Sequence, residues 1–594
     1  MILVFGGTTE GRIAAKVCDD AGKSFFYSTK GEAQDVALHN GIRLSGGMTT
    51  SEMVSFCQQH AIRCIINAAH PFAINLHQAI MECANECHLP VIRLQRNFSE
   101  RREGIVYCSD FNDAIMKMEQ AQIRRLLALS GANTICKLKP FWTRHDTFFR
   151  ILKREESIRK AEENNFDTKR LVFYNEQNTL PSKEEEGALM QSIGCDAIIT
   201  KESGDSGGFE AKVDAALERG INVFVVCHPV LPTQWIYTCG KYSLRRAIER
   251  EVPDFFPLKT GLTTGACATA ATKAALLSLL CDDTNEDIYF ALPDGERLSV
   301  PVEHIDKATA VVTKDHNDDP DVTKGCRIFS HVEIRGRNDD EPQLIRFLKG
   351  NGVGTVTLPG LGIPVGEPAV NPTPRRMITD EIKQITNCSV DVTISVENGE
   401  ALAQKTFNPR VGVLGGISIL GTSGIVHPLS NEAFIKSIRR ELEVARAIGY
   451  HEVGLVAGMK SERALKEERK EKGLPGIRCV HYGNFIGEAL KAAHELLFSS
   501  VTLSIMIGKA VKLAEGNLDT HSHKVTMNKE FLADVAKELG LEPTPIYKIT
   551  MARELWDFMP QPFFDKITSL CYGICRKAFP EGELNIKLIC DKRA

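Results

Sequence analysis

The sequence predicts an α/β protein with parallel sheets in its N-terminal half, and three observations carry this prediction. Short apolar runs alternate with helical periodicity throughout residues 1–250, a rhythm typical of parallel strands joined by helices. The chain has 594 residues, more than one hydrophobic core supports, so several domains are expected. Hydrophobic residues make up 43% and charged residues 25% of the chain, the ordinary balance of globular proteins.

The first half of the chain contains this rhythm twice. Strands are predicted at ILVF (2–5) and CIINAA (64–69), with helical stretches between them. The rhythm restarts after about residue 122 with LLALSG (126–131). We therefore predict two Rossmann-like lobes, about 1–120 and 121–250, with ligands at the carboxyl ends of their strands.

The second half of the chain has a different residue composition and periodicity. Residues 247–259 combine charge with two prolines and predict a linker. Glycine, threonine and alanine then dominate, alternating strand patterns follow, and the α/β rhythm returns from about residue 411. We expect a domain over 251–594, with a mixed α+β part at about 259–408 and an α/β part at about 409–594.

Charge and cysteine content exclude several classes of protein. The net charge of −4 gives no electrostatic footprint for nucleic acid. The 18 cysteines form no CxxC pair, which is typical of reduced thiols in the cytosol and not of zinc or disulfide frameworks. No signal peptide precedes the first strand, and no apolar run approaches the length that spans a membrane, so a cytoplasmic protein without a membrane partner is expected.

The first candidate site is a turn that follows the first strand. Gly6-Gly7-Thr8-Thr9-Glu10-Gly11 leads into a helix, and the backbone of such a turn attracts phosphate. Thr8 stands where the usual dinucleotide fingerprint has its middle glycine, and a plain strand–helix turn is the alternative. Lys30, where NAD-binding sites usually have an acidic residue, favours NADPH over NADH without excluding the latter.

Further candidates follow later strands of the first half. His70 stands at the carboxyl end of a strand, where it would orient a ligand or donate a proton; a buried histidine bonded to backbone is the alternative. Arg93 and Arg96 suit carboxylates of a substrate, although surface arginines are common. Lys201, Ser203 and Gly204 lie in a second glycine-rich loop, which offers either an anion site or merely backbone freedom.

The second half contains glycine-rich turns that predict cofactor binding. Gly265 lies in TGLTTGACAT, whose alternative role is a helix start capped by Thr264. Further candidates of the same kind occur in VGVLGG and GTSG. They are Gly415, Gly416, Gly421, Thr422, Ser423 and Gly424.

Charged residues of the second half are the other candidates. Arg375 and Arg376 suit carboxylates of a substrate. The acidic run at 314–323 is either a solvated loop or a site for a cation or the polar groups of a ligand, and its spacing predicts no metal. His521 and His523 also predict none, because a third ligand cannot be named.

Residues 1–250 resemble the precorrin-6A reductase family. GGTTEG, HPFA at 70–73, RLQR at 93–96 and KESGDSGGFEAK at 201–212 occur in the family's order. The family more often has Asp-Ala-Thr where this chain has Asn67-Ala68-Ala69, and arginine where it has His228. The resemblance implies hydride transfer from NADPH or NADH to a ring double bond, between two Rossmann-like lobes.

Residues of about 259–530 resemble the cobalt-precorrin-5B C1-methyltransferase family. The motifs, in family order, are TGLTTGACATAA, KDHNDDPDVT, GVGTVTLPGL with NPTPRRMI, GTSGIVHP, and GKAVKLAEG with THSH. This resemblance implies S-adenosylmethionine as methyl donor and a ring carbon as acceptor. Close placement of the two carries much of such a reaction, so no strong general base is required.

Together the two resemblances predict a bifunctional enzyme of anaerobic cobalamin biosynthesis that acts on a cobalt-corrinoid. The methyltransferase product, cobalt-precorrin-6A, is what a reductase of the first family would reduce. Two rival hypotheses remain at this point. One is an NAD(P)-dependent oxidoreductase of another substrate fused to a ligand-binding module, and the other is a non-catalytic binding protein.

Overall fold

The computed structural model describes residues 1–31, 36–96, 101–174, 181–202, 208–336, 342–521 and 525–590. The chain forms two compact units. The first consists of Met1–Pro257 with Glu296–Leu298, and the second of Leu258–Gly295 with Ser299–Ala594.

The first unit alternates strands and helices as its sequence rhythm indicates. Its described strands are β1 (Ile2–Phe5), β2 (Phe25–Thr29), β3 (Gly41–Ser45), β4 (Cys64–Asn67), β5 (Val91–Leu94), β6 (Ile105–Cys108), β7 (Arg125–Ala128), β8 (Asp146–Ile151), β9 (Leu171–Phe173), β10 (Ala197–Lys201), β11 (Asn222–Val226) and β12 (Ile236–Thr238). Its described helices are α1 (Thr9–Asp19), α2 (Thr50–Gln59), α3 (Ile74–Cys87), α4 (Phe111–Gln120), α5 (Lys139–Trp142), α6 (Glu155–Glu163), α7 (Lys183–Ile193), α8 (Phe209–Leu217) and α9 (Lys241–Glu251).

Two six-stranded parallel sheets form the first unit, which confirms the predicted architecture of this half. The strand orders are β12-β5-β4-β1-β2-β3 and β6-β11-β10-β7-β8-β9. Strands β1, β4 and β5 are buried along their whole length because helices cover both faces of the sheet. The order of each sheet reverses beside its first central strand, at β1/β4 and β7/β10, so ligand crevices are expected at the carboxyl ends of these strands.

The lobes are divided differently from the expected ranges 1–120 and 121–250. Strand β6 pairs with β11 in the second sheet, with Ile105 opposite Val223. Strand β12 returns to the first sheet beside β5, with Ile236 opposite Ile92. Each sheet thus takes an edge strand from the other side of the expected boundary, because periodicity in a sequence reveals a strand but not its pairing partner.

The segment 247–259, predicted to be a linker, is largely packed. Helix α9 continues to Glu251, and Phe255 and Phe256 are buried in the core below the first sheet, next to Leu244. The guanidinium of Arg245 lies 4.2 Å from the centroid of the Phe256 ring. The two aromatic side chains bury this segment despite its charges and prolines.

The remaining chain contains shorter sheets and one parallel sheet. Its described strands are β13 (Gly261–Leu262), β14 (Asp287–Ala291), β15 (Arg297–Pro301), β16 (Glu303–Asp306), β17 (Thr309–Thr313), β18 (Arg327–Arg335), β19 (Ile345–Lys349), β20 (Thr355–Val356), β21 (Ser389–Val396), β22 (Val413–Leu414), β23 (Ile425–Val426), β24 (Glu452–Val456), β25 (Arg478–His481), β26 (Ser500–Met506) and β27 (Glu583–Ile589). Its described helices are α10 (Thr264–Cys281), α11 (Pro372–Ile385), α12 (Gly399–Ala403), α13 (Asn431–Ala447), α14 (Met459–Glu471), α15 (Ile486–Glu495), α16 (Ile507–Ala514), α17 (Lys529–Glu538), α18 (Thr544–Lys548) and α19 (Gln561–Ala578).

The two larger sheets of the second unit differ in character. The sheet β16-β17-β18-β21-β19 is antiparallel except for the pair β19 and β21. The sheet β25-β24-β26-β27 is wholly parallel, and its order reverses between β24 and β26. A large core of helices and strands from Ile438 to Leu584 surrounds this parallel sheet.

Helix α10 corrects the expectation that no apolar run approaches membrane-spanning length. Among the described residues it is the one helix, Thr264–Cys281, whose length and composition suffice. However, 72% of the helix is buried, and it packs against β17, β18 and α11. Its apolar character on all sides is explained by this central position in the second unit.

Phe256→Ala tests the packing of the segment after α9. Removing the ring should destabilise the first unit by about 3–5 kcal/mol, because the cavity cannot fully close. Limited proteolysis at sites within residues 1–257 measures the urea concentration at which this unit is half unfolded. Met116→Ala is the control, since Met116 is 54% exposed. Equal midpoints for the two variants would show that the segment is the free linker predicted from sequence.

Candidate functional site

The turn between β1 and α1 begins the candidate dinucleotide site. Thr8 is the N-cap of α1, and its hydroxyl also donates a hydrogen bond to the Ala68 carbonyl at 2.7 Å. A side chain on Gly6 would collide with the Tyr27 ring, whereas the space beside Gly7, whose φ is +97°, is open. The threonine in place of the middle glycine therefore ties the turn to the end of β4, while Gly7 keeps one face accessible.

This turn fits the phosphate groups of a dinucleotide. The start of a helix attracts anions, and the open side of Gly7 lets a phosphate approach the backbone. Thr9 is exposed at the first residue of α1, and exposed Lys30 directly follows β2. Glu10 is held by the protein itself, because its carboxylate lies 3.1 Å from Nε of Arg96.

The loop after β4 is anchored by Asn67, whose side chain is fully buried. Its Oδ1 accepts hydrogen bonds from Nη1 of Arg93 at 2.9 Å and from the Ala69 amide at 3.3 Å. Its Nδ2 is therefore the donor to Nδ1 of His77, at 3.0 Å. The hydrogen-bond network thus fixes the orientation of the amide.

His77, on the buried face of α3, holds the same loop from the other side. Because Nδ1 accepts from Asn67, the proton of the neutral ring is on Nε2, which lies 3.1 Å from the carbonyls of His70 and Pro71. Burial, followed by the charge of Arg93, lowers the pKa of His77 to about 4. The ring is therefore neutral at pH 7 and donates to the loop.

The His70 side chain is positioned by this loop. Its Nδ1 accepts a hydrogen bond from the Phe72 amide at 3.2 Å, which leaves Nε2–H as the donor of the neutral ring. Burial, then the charges of Arg96 and Lys201, lower the pKa of His70 to about 4. At pH 7 the ring can orient a ligand through Nε2–H, but it does not carry the extra proton of an imidazolium acid.

Arg93, expected from sequence to bind a substrate carboxylate, is 2% exposed and supports the loop instead. Its Nη1 donates to the carbonyls of Asn67 and Ala69, at 3.1 and 2.8 Å. The side chain of β5 thus points beneath the end of β4 and not to a surface. Arg96 pairs with Glu10, and both side chains are about one-tenth exposed.

Lys201 ends β10, beside the point where the order of the second sheet reverses. Its Nζ lies 5.2 Å from the centroid of the Phe72 ring, which belongs to the loop after β4. Burial, then the charge of Lys137, lower the pKa of Lys201 to about 8. Ser203 and Gly204, expected in the same anion site, lie outside the described residues.

Sequence reasoning missed the supporting roles of Asn67 and His77. A signal for His77 was present, because Ile80 and Ala84 place position 77 on the buried face of α3. A polar residue on such a face requires a hydrogen-bond partner. No comparable signal identified its partner, since Asn67 and His77 are neighbours only in the folded chain.

The start of α10 packs closely and does not form an open cradle. Thr263, and not Thr264, is the N-cap. The hydroxyl of Thr264 accepts from the Leu420 amide at 2.9 Å, and the Gly265 amide donates to the Leu420 carbonyl at 2.9 Å. A side chain on Gly265 would press against Pro374. Gly265, expected to bind a cofactor, therefore allows two elements to approach each other.

Most of the other predicted glycines have the same packing role. A side chain on Gly416 would collide with Gly352, one on Gly421 with Thr263, and one on Gly424 with Leu292. Ser423 donates its hydroxyl hydrogen to the Ile425 carbonyl at 2.9 Å. By contrast, Gly415 and Thr422 are exposed, so these two of the predicted cofactor residues keep a face for a ligand.

The two arginines at the start of α11 differ in environment. Arg375 donates through Nε to the Val370 carbonyl at 2.8 Å and pairs with Glu367 at 2.7 Å. Its guanidinium also lies 5.0 Å from the Phe347 ring centroid. Arg375 is thus engaged within the protein, whereas Arg376 is exposed and accessible to a carboxylate.

Several aspartates of the acidic run 314–323 form ion pairs or hydrogen bonds with other residues of the chain. Asp321 pairs with buried Lys314 at 2.7 Å. Asp318 accepts from the Lys259 amide at 2.6 Å, and Asp319 accepts from the Leu429 amide at 3.0 Å. Within the described part of the chain, no group of three or more His, Cys, Asp or Glu side chains is arranged to hold a metal ion.

A crevice is expected at the carboxyl ends of β24 and β26, where the order of the C-terminal sheet reverses. Gly458 and Gly508 lie at these two ends, and nothing lies within 4 Å of the position of an added Cβ at either glycine. Next to them, Nζ of Lys509 donates to the Gly483 carbonyl at 2.7 Å and to the side chain of Asn484. Sequence reasoning noted Gly508 and Lys509 without assigning them a role.

A charged cluster lies at the end of β25. Oε2 of Glu462 is 2.6 Å from Nε2 of His481 and 3.2 Å from Nη1 of Arg410. Burial raises the pKa of Glu462, but hydrogen bonds from Lys466 and His481 and the charge of Arg410 outweigh it, and the pKa falls to about 2. The carboxylate therefore stays ionised and joins Arg410 to the C-terminal sheet.

The pH dependence of stability tests the loop after β4. A neutral buried His77 contributes full stability above its ordinary pKa of 6.5 and loses it as the pH falls towards about 4, because the unfolded chain binds the proton more readily. The loss should approach roughly 3 kcal/mol in total. Urea unfolding at several pH values should show a shallower slope for His77→Gln than for the unaltered chain.

His88→Asn is the matched control, since His88 is an exposed residue that caps the same helix. Asparagine tolerates its positive φ. The control should keep the pH slope of the unaltered chain. A His77→Gln slope equal to that of the control would refute the buried neutral ring.

Comparison with known proteins supplies the family. Residues 1–245 match the family model for precorrin-6x reductase CbiJ/CobK, and residues 252–428 match the model for CbiD. The cobalt-precorrin-5B C(1)-methyltransferase of Prosthecochloris aestuarii is 41% identical over 350 residues, covering 56% of this chain and 94% of the relative. The enzyme of the same name from Pseudomonas putida GB-1 is 42% identical over 295 residues, covering 48% and 79%.

Two solved structures are also similar. The cobalamin biosynthesis protein CbiD from Archaeoglobus fulgidus is 30% identical with a TM-score of 0.25, covering 48% of this chain and 85% of that protein. A CobK precorrin-6A reductase is 20% identical with a TM-score of 0.35, covering 42% and 97%. On the sequence matches, the chain belongs to the cobalt-precorrin-5B C(1)-methyltransferase family and carries, ahead of that family's domain, a precorrin-6x reductase domain over residues 1–245.

Proposed function

We propose that this chain is a bifunctional enzyme of anaerobic cobalamin biosynthesis. It methylates C1 of cobalt-precorrin-5B with S-adenosylmethionine and reduces the product, cobalt-precorrin-6A, to cobalt-precorrin-6B with NADPH or NADH. The observation that carries this proposal is the presence of both families in one chain. The two reactions are consecutive, so the product of one domain is the substrate of the other.

The first unit has the parts that the reduction requires. The nicotinamide cofactor supplies a hydride, and the turn at Gly6 and Gly7 with the start of α1 suits its phosphates. Lys30 favours NADPH because its ammonium group suits an additional phosphate. His70 offers a neutral Nε2–H donor, and Lys201 a cation, to a macrocycle that carries several carboxylates.

For the methyl transfer, we propose that S-adenosylmethionine binds at the carboxyl ends of β24 and β26. The reversal of strand order supports this position, and so does the open space at Gly458 and Gly508. A ligand can approach the backbone closely at both glycines. Exposed Gly415, Thr422 and Arg376 are kept as proposed contacts of the cofactor or the corrinoid.

An anaerobic incubation with cobalt-precorrin-5B, S-adenosylmethionine and NADPH tests the bifunctional assignment. Mass spectrometry should show a product heavier by one methyl group and two hydrogens. Omitting NADPH should stop the reaction at the methylated compound. Methylation without reduction in the full mixture would contradict the reductase assignment, and an unchanged substrate would contradict the methyltransferase assignment.

Gly508→Val tests the methyl donor site. An added Cβ at this position has no protein atom within 4 Å, so folding should be retained, but the side chain should block a ligand that reaches the backbone and weaken S-adenosylmethionine binding at least tenfold. Isothermal titration calorimetry measures the dissociation constant. Gly573→Val is the control, because Gly573 on α19 also has open space around it. Equal affinities of both variants for S-adenosylmethionine would show that it does not bind next to Gly508.

A further inference from the structure

The proposed reduction of a carbon–carbon double bond needs a proton as well as a hydride, and His70 is poorly suited to donate it. The ring of His70 is neutral at pH 7, since burial and the charges of Arg96 and Lys201 lower its pKa to about 4. Its remaining N–H is far too weakly acidic to protonate carbon at neutral pH. A group that is protonated at pH 7 and lies near His70 is better suited to release the proton.

Lys201 faces the loop that carries His70. The Phe72 ring is close to both side chains, with its centroid 5.2 Å from Nζ of Lys201 and 5.9 Å from the centroid of the His70 ring. Phe72 packs against the core of the second sheet, although it follows a strand of the first. The carboxyl ends of β4 and β10 therefore open towards the same space within the first unit.

The ammonium group of Lys201 has no hydrogen bond or ion pair to any residue that the structure describes, although the side chain is half-buried. Its Nζ lies near the Phe72 ring and the charge of Lys137. Lys117, on the same side of the second sheet, shows the usual arrangement: its Nζ donates to the Tyr107 carbonyl at 2.8 Å and pairs with Asp113 at 2.9 Å. Among the residues that the structure describes, half-buried Lys201 thus has no counter-ion.

The neighbouring charged groups in the described part of the chain do not compensate for this lack. Glu202 accepts a hydrogen bond from the His228 amide at 3.1 Å and so is turned towards β11. Glu10 is paired with Arg96 on the first sheet. Lys137 adds a like charge, and His70 adds none.

We propose that Lys201 is the proton donor of the reduction. As the hydride reaches one carbon of the ring double bond, an N–H bond of the Lys201 ammonium breaks and a C–H bond forms at the other carbon. The lysine is left as a neutral amine and regains its proton from solvent, while the nicotinamide leaves oxidised. This inference rests on the proposed reductase function.

The acidity of Lys201 supports this role. Burial, followed by the charge of Lys137, lowers its pKa to about 8, so the group is mostly protonated at pH 7 and yet releases its proton more readily than an ordinary lysine. An acid is most effective when its pKa lies near the working pH. The cation also keeps the neighbouring His70 neutral.

Pulse labelling of amines tests the environment of Lys201 without substrate or cofactor. The full chain is treated briefly with acetic anhydride between pH 6 and 11, and mass spectrometry follows the peptide that contains residue 201. The labelling midpoint should lie near pH 8, and Lys137→Gln should move it upwards. Lys117 is the internal reference. A midpoint for Lys201 as high as that of Lys117 would overturn the inference.

Two variants separate proton donation from charge. Lys201→Arg keeps the cation, but arginine does not release its proton near pH 7. Its kcat for cobalt-precorrin-6A should fall by about 100-fold or more, with KM changed by less than about threefold. Lys201→Met should lose kcat as well. Both variants should bind NADPH, measured by calorimetry, as the unaltered chain does.

The outcomes distinguish the inference from the function on which it rests. An unaltered chain that reduces cobalt-precorrin-6A while Lys201→Arg retains its kcat would overturn the inference alone. If Lys201→Met then raised only KM, Lys201 would be a contact for a substrate carboxylate. An unaltered chain that reduces no cobalt-precorrin-6A would overturn the proposed function and this inference with it.

Discussion

The arrangement of the first site depends on one buried amide, that of Asn67. Its oxygen is already used by Arg93 and by the Ala69 amide, so its nitrogen must face His77. That choice fixes the tautomer of His77, which then donates to the carbonyls of the loop after β4. The position of His70 thus depends on the hydrogen bonds of buried side chains beneath the loop.

The charges around this loop are unbalanced in a way that suits an anionic substrate. Arg96 has a carboxylate partner in Glu10, whereas the described hydrogen-bond partners of Arg93 are neutral groups of Asn67 and Ala69, and Lys201 faces an aromatic ring. Burial is the main cause of the lowered pKa of His70, and the positive charges of Arg96 and Lys201 lower it further. The same charges would attract carboxylates into the crevice and so suit a macrocycle with acidic side arms.

The parallel sheets could be predicted from sequence because strands covered on both faces form continuous apolar runs, as ILVF and CIIN do. The pairing of β6 with the second sheet and of β12 with the first could not be predicted, because an apolar run carries no information about its neighbour in the sheet. His70 and Lys201 could be named as candidates because both lie near the carboxyl ends of strands. Asn67 and His77 were missed because their contact depends on the relative position of β4 and α3.

Glycines of the second unit illustrate the limit of motif reasoning most clearly. A glycine is required wherever backbone is approached closely, whether by a ligand or by another part of the chain. At Gly265 and Gly416 the approaching group is protein, and sequence alone cannot distinguish that case. At Gly458 and Gly508 the space stays open, and both lie where the strand order of a parallel sheet reverses. Packing explains the first pair, so only the second pair is kept as part of the proposed ligand site.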